Sequence, residues 1–259
     1  MKEMKKFLLE VCVDSAESAM TAFYAGADRL ELCSNLILGG TTPDVCLYKQ
    51  VRKYCSLPIY VLIRPRFGDF CYSDYEYEII KEEIKMFREL GTDGIVTGIL
   101  KPDGTMNLEQ MEEIMNLAGN IPVTLHRAFD VSADPLRTFD EAGELGIHTI
   151  LTSGQRNKCT DDLALIRELS ERNGRKPEIL VGGGVNVETV RIVRAAAEIS
   201  SFHMSGKVIG GSRMQYRKED VHMGLPGFSE YQVYRADEKE IAGVADFLKH
   251  LSEWEKGSE

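Results

Sequence analysis

Eight short β-rich segments alternate with helical patterns along the chain, and this alternation restricts the possible folds more than any other feature of the sequence. Alternating β and α segments are typical of βα units that build a parallel sheet. The predicted strands lie at residues 7–13, 28–33, 58–64, 94–98, 121–126, 147–152, 178–182 and 201–205. Because there are eight strands, and no GxGxxG motif follows the first, the sequence predicts a (β/α)8 or TIM barrel and not a doubly wound sheet.

The repeated helix ends indicate a single domain. Gly26, Gly91 and Gly146 each follow a helical pattern and come shortly before a strand, as a C-cap glycine does. Barrels of this kind run to about 250 residues as one domain, so we expect residues 1–259 to form one TIM-barrel domain. Residues 207–236 are too many for an ordinary βα connection. We expect a long loop after strand 8 that serves as a lid, an interface loop or a mobile segment.

The charge of the chain limits its partners. A formal net charge of −10 argues against nucleic acid or an anionic membrane as the main partner, because both require a basic surface. Glu10 interrupts the first apolar run after about three residues, which is too short for a signal-peptide core. No stretch approaches the ~18 consecutive apolar residues of a membrane span. We therefore expect a cytoplasmic protein with reduced thiols, since the six cysteines lack the spacing of a zinc motif.

Polar side chains interrupt the first two strands on one face. Successive side chains of a strand point to opposite faces, so Glu10 shares a face with Cys12, and Glu31 shares a face with Cys33. Strands that are buried on both sides normally read as continuous Val, Ile and Leu. Carboxylates and thiols on the inner face of a barrel therefore require a partner or a function.

Many polar residues fall at the C-terminal ends of the predicted strands, where barrel enzymes place their chemistry. By alternation, Arg64, His126, His203 and Ser205 point into the barrel, while Arg127 points outward unless the strand has already turned into a loop. We expect Glu10 and Glu31 to face Arg64 and Arg66, which would cancel their charges. The remaining candidates at this rim are Cys12, Cys33, Asp130, Thr152 and Ser153. Either these groups only satisfy one another in a wet interior, or they form a ligand or catalytic site.

A glycine run follows strand 7. Gly182, Gly183 and Gly184 come before Asn186, which is a suitable N-cap for the next helix. Free backbone amides at a helix N-terminus bind anions, and barrels often place a phosphate near strands 7 and 8. The run is equally consistent with a tight turn that has no ligand.

Several segments in a fixed order resemble the CutC family, whose members are usually called copper homeostasis proteins. They are LEVCVDS, RLELCSNLILGGTTPD, IRPRFGDFCYS, DGIVTGIL, LHRAFD, ILTSG, VGGGV and FHMSGK, and together they span roughly residues 7–206. The resemblance implies a cytoplasmic (β/α)8 barrel, a homo-oligomer that is a dimer or a tetramer, and copper binding by Cys12 and Cys33. The sequence departs from the family pattern at Asp44, where serine is expected, and at Leu125, where phenylalanine is common.

Two functions therefore remain open. In the first, the thiolates of Cys12 and Cys33 bind Cu(I), the oxidation state that soft sulfur ligands select. In the second, the protein is an enzyme that acts on a small phosphorylated or carboxylated metabolite. The anion would then be held by residues among Arg64, Arg66, Arg127, Thr152, Ser153, Gly182, Gly183, Gly184 and Ser205. Its acid and base groups would come from Glu10, Glu31, His126, His203 and Asp130.

Overall fold

Eight parallel strands close into a barrel in the computed structural model, which describes residues 7–172, 177–218, 220–221, 223–224 and 227–256. The strands are β1 Leu8–Val13, β2 Arg29–Leu32, β3 Ile59–Leu62, β4 Gly94–Thr97, β5 Val123–Leu125, β6 Thr149–Thr152, β7 Glu178–Val181 and β8 Ser201–Met204. Each strand pairs with the next, and β8 pairs with β1. The predicted single (β/α)8 barrel is confirmed.

Eight α-helices surround the barrel within the described residues. They are α1 Ala16–Tyr24, α2 Val45–Tyr54, α3 Asp74–Glu89, α4 Leu108–Ala118, α5 Pro135–Glu144, α6 Ala164–Glu171, α7 Val187–Ala196 and α8 Glu238–Lys256. Polar N-cap side chains start several of them, because a side-chain oxygen accepts from a backbone N–H that has no partner within the helix. Asn186 caps α7, as the sequence predicts, and Asp44 caps α2.

Two apolar layers hold the barrel together. The larger layer lies between the outer face of the strands and the helices, and includes Val11, Leu30 and Phe87. A second, smaller cluster fills part of the barrel interior and consists of Cys12, Cys33, Tyr60, Leu62 and Val96, with Leu36 packed against it. The predicted alternation along β1 and β2 is confirmed, because residues of opposite parity enter different clusters.

The segment after β8 is partly regular. β9 Lys207–Gly211 and β10 Gln232–Ala236 pair as an antiparallel two-stranded sheet, so the prediction of one long loop is wrong at both ends of the segment. Their pairing joins residues that are far apart in sequence, and no short turn motif between them predicts a hairpin. The backbone N–H of Ala236 donates to Ser18 Oγ at 3.1 Å, which fixes β10 to α1.

None of the helices within the described ranges combines the length and the hydrophobicity that a membrane span requires.

Candidate functional site

A cavity of about 450 Å³ opens at the C-terminal end of the barrel, where the sequence places the candidate residues. Its lining includes nine of those candidates, namely Cys12, Glu31, Arg64, His126, Arg127, Gly183, Gly184, His203 and Ser205. Glu10 and Cys33 are completely buried and contact the lining residues His203 and Cys12. The cavity therefore brings together residues from opposite ends of the chain.

A buried charge network extends from the cavity into the barrel. Arg29 Nε donates to Glu10 Oε2 at 2.5 Å, and the guanidinium stacks on the ring of Tyr60, with 4.0 Å between Cζ and the ring centroid. The other oxygen of Glu10 lies 2.7 Å from Nδ1 of His203. On the far side of the imidazole, Nε2 of His203 lies 3.9 Å from Glu31 Oε2. One imidazole is therefore placed between two carboxylates.

The network divides charge unequally between its two carboxylates. Burial would raise the pKa of Glu10, but Arg29 and His203 outweigh it and hold that pKa below the ordinary value. Burial raises the pKa of Glu31, and the charge of His203 offsets only part of this. Burial would lower the pKa of His203, but the charge of Glu31 and the hydrogen bond with Glu10 raise it above the ordinary value. Glu10 and His203 thus stabilise each other's charged forms.

The two predicted metal ligands lie next to each other. Sγ of Cys12 is 3.6 Å from Sγ of Cys33, although the two residues come from different strands. The hydrogen bond with Cys33, followed by burial, raises the pKa of the Cys12 thiol well above its ordinary value. Cys12, Glu31 and His203 each place one ligand atom within 4.8 Å of the others. Soft sulfur atoms with nearby oxygen and nitrogen donors suit a transition-metal ion.

Cys33 lies away from the cavity. Gly40 covers it with a backbone φ of +86°, and a Cβ at position 40 would come within 2.7 Å of Leu62 Cδ2 and 3.4 Å of Cys33 Cβ. Only glycine accommodates both the left-handed conformation and the close approach. Cys12 therefore presents the thiol pair to the cavity.

Arg64 is a buried cation that is satisfied by backbone oxygens. Its Nη1 donates to the carbonyl of Gly40 at 3.0 Å, and its Nη2 donates to the carbonyl of Gly68 at 2.7 Å. The guanidinium also lies over the ring of Phe70, with 4.9 Å between Cζ and the ring centroid. Among the ion pairs of the described residues, Arg64 has no carboxylate partner, and its Nε makes no hydrogen bond.

His126 is held as a neutral imidazole. The backbone N–H of Ala128 donates to Nδ1 at 3.2 Å, while Nε2 is buried and makes no hydrogen bond. Burial and the nearby charge of Arg64 lower the pKa of His126 to about 3. The ring lies 4.6 Å from that of Phe70, measured between centroids. His126 therefore suits a hydrogen-bond donor better than a general acid or base near neutral pH.

Asp130 organises the loops after β5 and β6. Its carboxylate accepts from Thr152 Oγ1 at 2.5 Å, from Ser153 Oγ at 2.9 Å and from Arg127 Nε at 2.6 Å. Arg127 follows the end of β5 in a loop, so it turns toward the cavity and not outward. Asp130, Thr152 and Ser153 do not line the cavity but determine where Arg127 lies.

Arg66 lies outside the cavity. Its Nε donates to Glu76 Oε1 at 2.5 Å and its Nη2 to Asp69 Oδ1 at 2.9 Å. The prediction that Arg64 and Arg66 face the two glutamates is wrong, because the chain leaves the strand direction after Leu62. The cation that pairs with Glu10 is Arg29, which strand alternation places on the same face as Glu31.

The glycine run forms part of the cavity wall. Gly183 has a backbone φ of +92°, and a Cβ there would come within 2.9 Å of Ser153 Cβ. Gly183 and Gly184 line the cavity ahead of α7, whereas Gly182 packs against Leu151 and lies outside the lining. Lys207, at the start of β9, also lines the cavity and was not among the predicted residues.

The CutC family model matches residues 7–208. The chain belongs to the CutC family. A solved CutC structure from Streptococcus agalactiae, provisionally described as a copper homeostasis protein, is 32% identical to this CutC chain. The two superpose with a TM-score of 0.73, over 77% of this chain and 98% of that one.

More distant structures share the barrel with this CutC chain. N-(5'-phosphoribosyl)anthranilate isomerase from Pyrococcus furiosus is 12% identical, with a TM-score of 0.54 over 94% of this chain and 99% of that one. Thiamine phosphate pyrophosphorylase from the same organism is 15% identical, with a TM-score of 0.54 over 95% of this chain and 98% of that one. At such identities the similarity concerns the fold alone.

Proposed function

We propose that this CutC protein acts in copper homeostasis by binding Cu(I) through Cys12 and Cys33. The observation that supports the proposal most directly is the 3.6 Å separation of the two sulfur atoms. Metal–sulfur bonds are about 2.3 Å long for zinc, and two bonds of similar length reach sulfur atoms up to about 4.6 Å apart. One ion can therefore contact both thiolates without a large movement of β1 or β2.

The surroundings of the pair are consistent with this function. Thiolates select Cu(I), and Glu31 and His203 place an oxygen and a nitrogen donor within reach of Cys12. No disulfide joins the two cysteines, so both sulfur atoms remain available. The provisional description of the Streptococcus agalactiae relative supports the same role.

Competition for Cu(I) against a chromophoric chelator, under anaerobic reducing conditions, tests the proposal. The wild-type protein should withdraw one equivalent of Cu(I) from the chelator, and the Cys12→Ser, Cys33→Ser double variant should withdraw none. Cys55→Ser is a matched control because Cys55 is also buried but lies at the end of α2. Retention of tight binding by the double variant would contradict the proposed ligands.

A second candidate function is an enzyme that acts on a small anionic metabolite. The observation in its favour is the cavity itself, whose volume falls within the range of about 300–1,000 Å³ that small-molecule sites occupy. Arg64, Arg127 and Lys207 supply positive charge to the cavity, and the glycine run adds backbone amides at its wall. A copper site at the two thiols gives none of these groups a role.

The cavity also contains groups suited to proton transfer. Glu31 and His203 line it, and Glu10 fixes the orientation of the His203 ring through the bond at Nδ1. Asp130 acts at a distance by positioning Arg127. In this proposal Glu31 and His203 carry the acid and base roles, and Glu10 and Asp130 hold the residues that meet the substrate.

Thermal-shift screening with phosphorylated and carboxylated metabolites tests the enzyme proposal. A ligand that binds the native state raises the midpoint of unfolding, and Arg64→Ala or His126→Ala should abolish the rise. Arg66→Ala serves as the control, because Arg66 belongs to the same loop but does not reach the cavity. If no compound stabilises the wild-type protein, the enzyme proposal loses its support.

We further infer a cytoplasmic homo-oligomer, a dimer or a tetramer, from the family resemblance. Light scattering after size-exclusion chromatography measures the number of subunits directly. A monomer at micromolar concentration would contradict the inferred assembly.

A further inference from the structure

Two buried donors on the cavity wall have no hydrogen-bond partner. Among the cavity-lining residues that the structure describes, the buried polar side-chain atoms left unpaired are Nε of Arg64 and Nε2 of His126. Arg64 is 8% exposed and His126 is 5% exposed, so bulk water does not easily satisfy either of them. A buried donor without a partner is destabilising, because it has lost its hydrogen bonds to water and gained none in the protein. The structure tolerates this cost twice on one wall.

The hydrogen bond at Nδ1 determines what His126 can offer. Because Nδ1 accepts from the backbone N–H of Ala128, the proton of the neutral ring resides on Nε2. The low pKa of His126 keeps the ring neutral across the physiological range. The unpaired Nε2–H is therefore a fixed donor that neither loses its proton nor gains a charge.

Arg64 brings one positive charge to the same wall. Backbone carbonyls of Gly39, Gly40 and Gly68 accept its Nη hydrogens, and they carry no charge that could neutralise it. Phe70 contacts both the Arg64 guanidinium and the His126 ring, so the two donors flank a single aromatic side chain. A neutral donor and a cation on one wall suit a ligand group with one negative charge and two acceptor oxygens.

We propose that Arg64 and His126 bind the carboxylate of a small organic acid, which accepts hydrogen bonds from the Arg64 guanidinium and from Nε2–H of His126. The proposal deepens the second candidate function, on which it rests, by naming the ligand group. A carboxylate satisfies the two donors with its two oxygens and neutralises the charge of Arg64.

The other residues that line the cavity indicate what is attached to the carboxylate. Leu36, Leu62 and Leu151 line the cavity together with Met204 and Val185. Apolar side chains of this kind favour a short hydrocarbon chain, because the removal of methylene groups from water is favourable. The acid we infer therefore has a carboxylate at one end and an apolar chain of a few carbons.

An NMR titration tests the proposal. Sodium butyrate, the probe, is added to protein whose histidines are labelled with 15N. Butyrate should shift the ring signals of His126 saturably, and loss of those signals in His126→Asn assigns them. Asn is suitable because its side-chain oxygen can replace Nδ1 as the acceptor for Ala128 while the Nε2–H donor is absent. Sodium chloride at the same ionic strength should produce no shift.

Neutral and charge variants separate the carboxylate from other ligands. Butyramide should bind about 10-fold or more weakly than butyrate, since hydrogen bonds to a charged group are stronger than those to a neutral amide. Arg64→Met should abolish the butyrate shift, and Arg64→Lys, which keeps the charge but loses the planar fork, should weaken binding about 10-fold. Arg66→Met is the matched control and should bind as the wild-type protein does.

The outcomes also distinguish the carboxylate site from the proposed copper site and from an enzyme that acts on phosphorylated substrates. A His126 shift by inorganic phosphate but not by butyrate would overturn the carboxylate site while leaving an enzyme on phosphorylated substrates in place. A butyrate shift that persists in both Arg64→Met and Arg64→Lys would also overturn it. Retention of the shift in Cys12→Ser is expected, since the titration requires neither copper nor turnover.

Discussion

The Glu10→Gln substitution measures how much the buried ion pair between Glu10 and Arg29 contributes to the stability of the fold. Glu10 and Arg29 have side-chain exposures of 1% and 8%, and the change leaves the arginine charge buried without its carboxylate. Loss of one partner from such a pair costs about 3–5 kcal/mol in the free energy of unfolding. For 259 residues, with an unfolding entropy of about 2.1 cal/mol/K per residue, this corresponds to a decrease in Tm of about 6–9 °C.

Urea denaturation, followed by circular dichroism, measures the free energy directly. Glu82→Gln is the matched control, because it makes the same chemical change in the ion pair between Glu82 and Lys85, whose side chains are 71% and 48% exposed. That pair should contribute less than about 1 kcal/mol. The double variant with Glu10→Gln and Arg29→Met should lose less stability than the two single changes summed, because no unpaired charge remains. Equal losses for Glu10→Gln and Glu82→Gln would refute the reasoning.

Three further outcomes follow from individual side chains. Between about pH 6.5 and about pH 3, His126 is protonated in the unfolded chain but stays neutral in the folded protein. The free energy of unfolding should therefore fall by up to about 1.4 kcal/mol for each pH unit of acidification. His126→Gln should remove that slope, and equal slopes in denaturation experiments would contradict the cause. Gly183→Ala should lower the free energy of unfolding by about 1–3 kcal/mol, and by more than Gly184→Ala, where φ is similar but an added Cβ would come no closer than 3.6 Å to the Lys158 side chain; urea denaturation measures both. Iodoacetamide should alkylate exposed Cys46 well before buried Cys33 in mass spectra, and the reverse order would contradict the burial.

Periodicity was sufficient to predict most of the fold. The alternation of Glu10 and Cys12 with apolar neighbours identifies a strand whose two faces meet different surroundings, and all eight strands appear where they were expected. The sheet formed by β9 and β10 is not predicted from the sequence, because its strands, which contain Val208 and Tyr234, are far apart along the chain. Long-range pairing of this kind leaves no local pattern that a short window can detect.

The candidate site was predictable where it lies on strands and less so where it lies on loops. Cys12, Glu31 and His203 converge as alternation predicts, and Arg29 could have been included by the same rule. Arg66 and Arg127 follow the ends of their strands, where the direction of a side chain depends on loop contacts. The carboxylate of Asp130, with its bonds from a neighbouring loop, determines where Arg127 points, and no periodicity encodes that contact.

The different positions of the two thiols impose an order of events on any ion they share. Cys12 forms part of the cavity wall, whereas Cys33 lies behind it under Gly40 with no exposed surface. An ion that arrives through the cavity meets the first sulfur before the second, and it departs in the reverse sequence. Transfer of such an ion to an external thiol would then be stepwise, because the external sulfur binds the ion from the cavity side, the bond to Cys33 breaks next, and the bond to Cys12 breaks last.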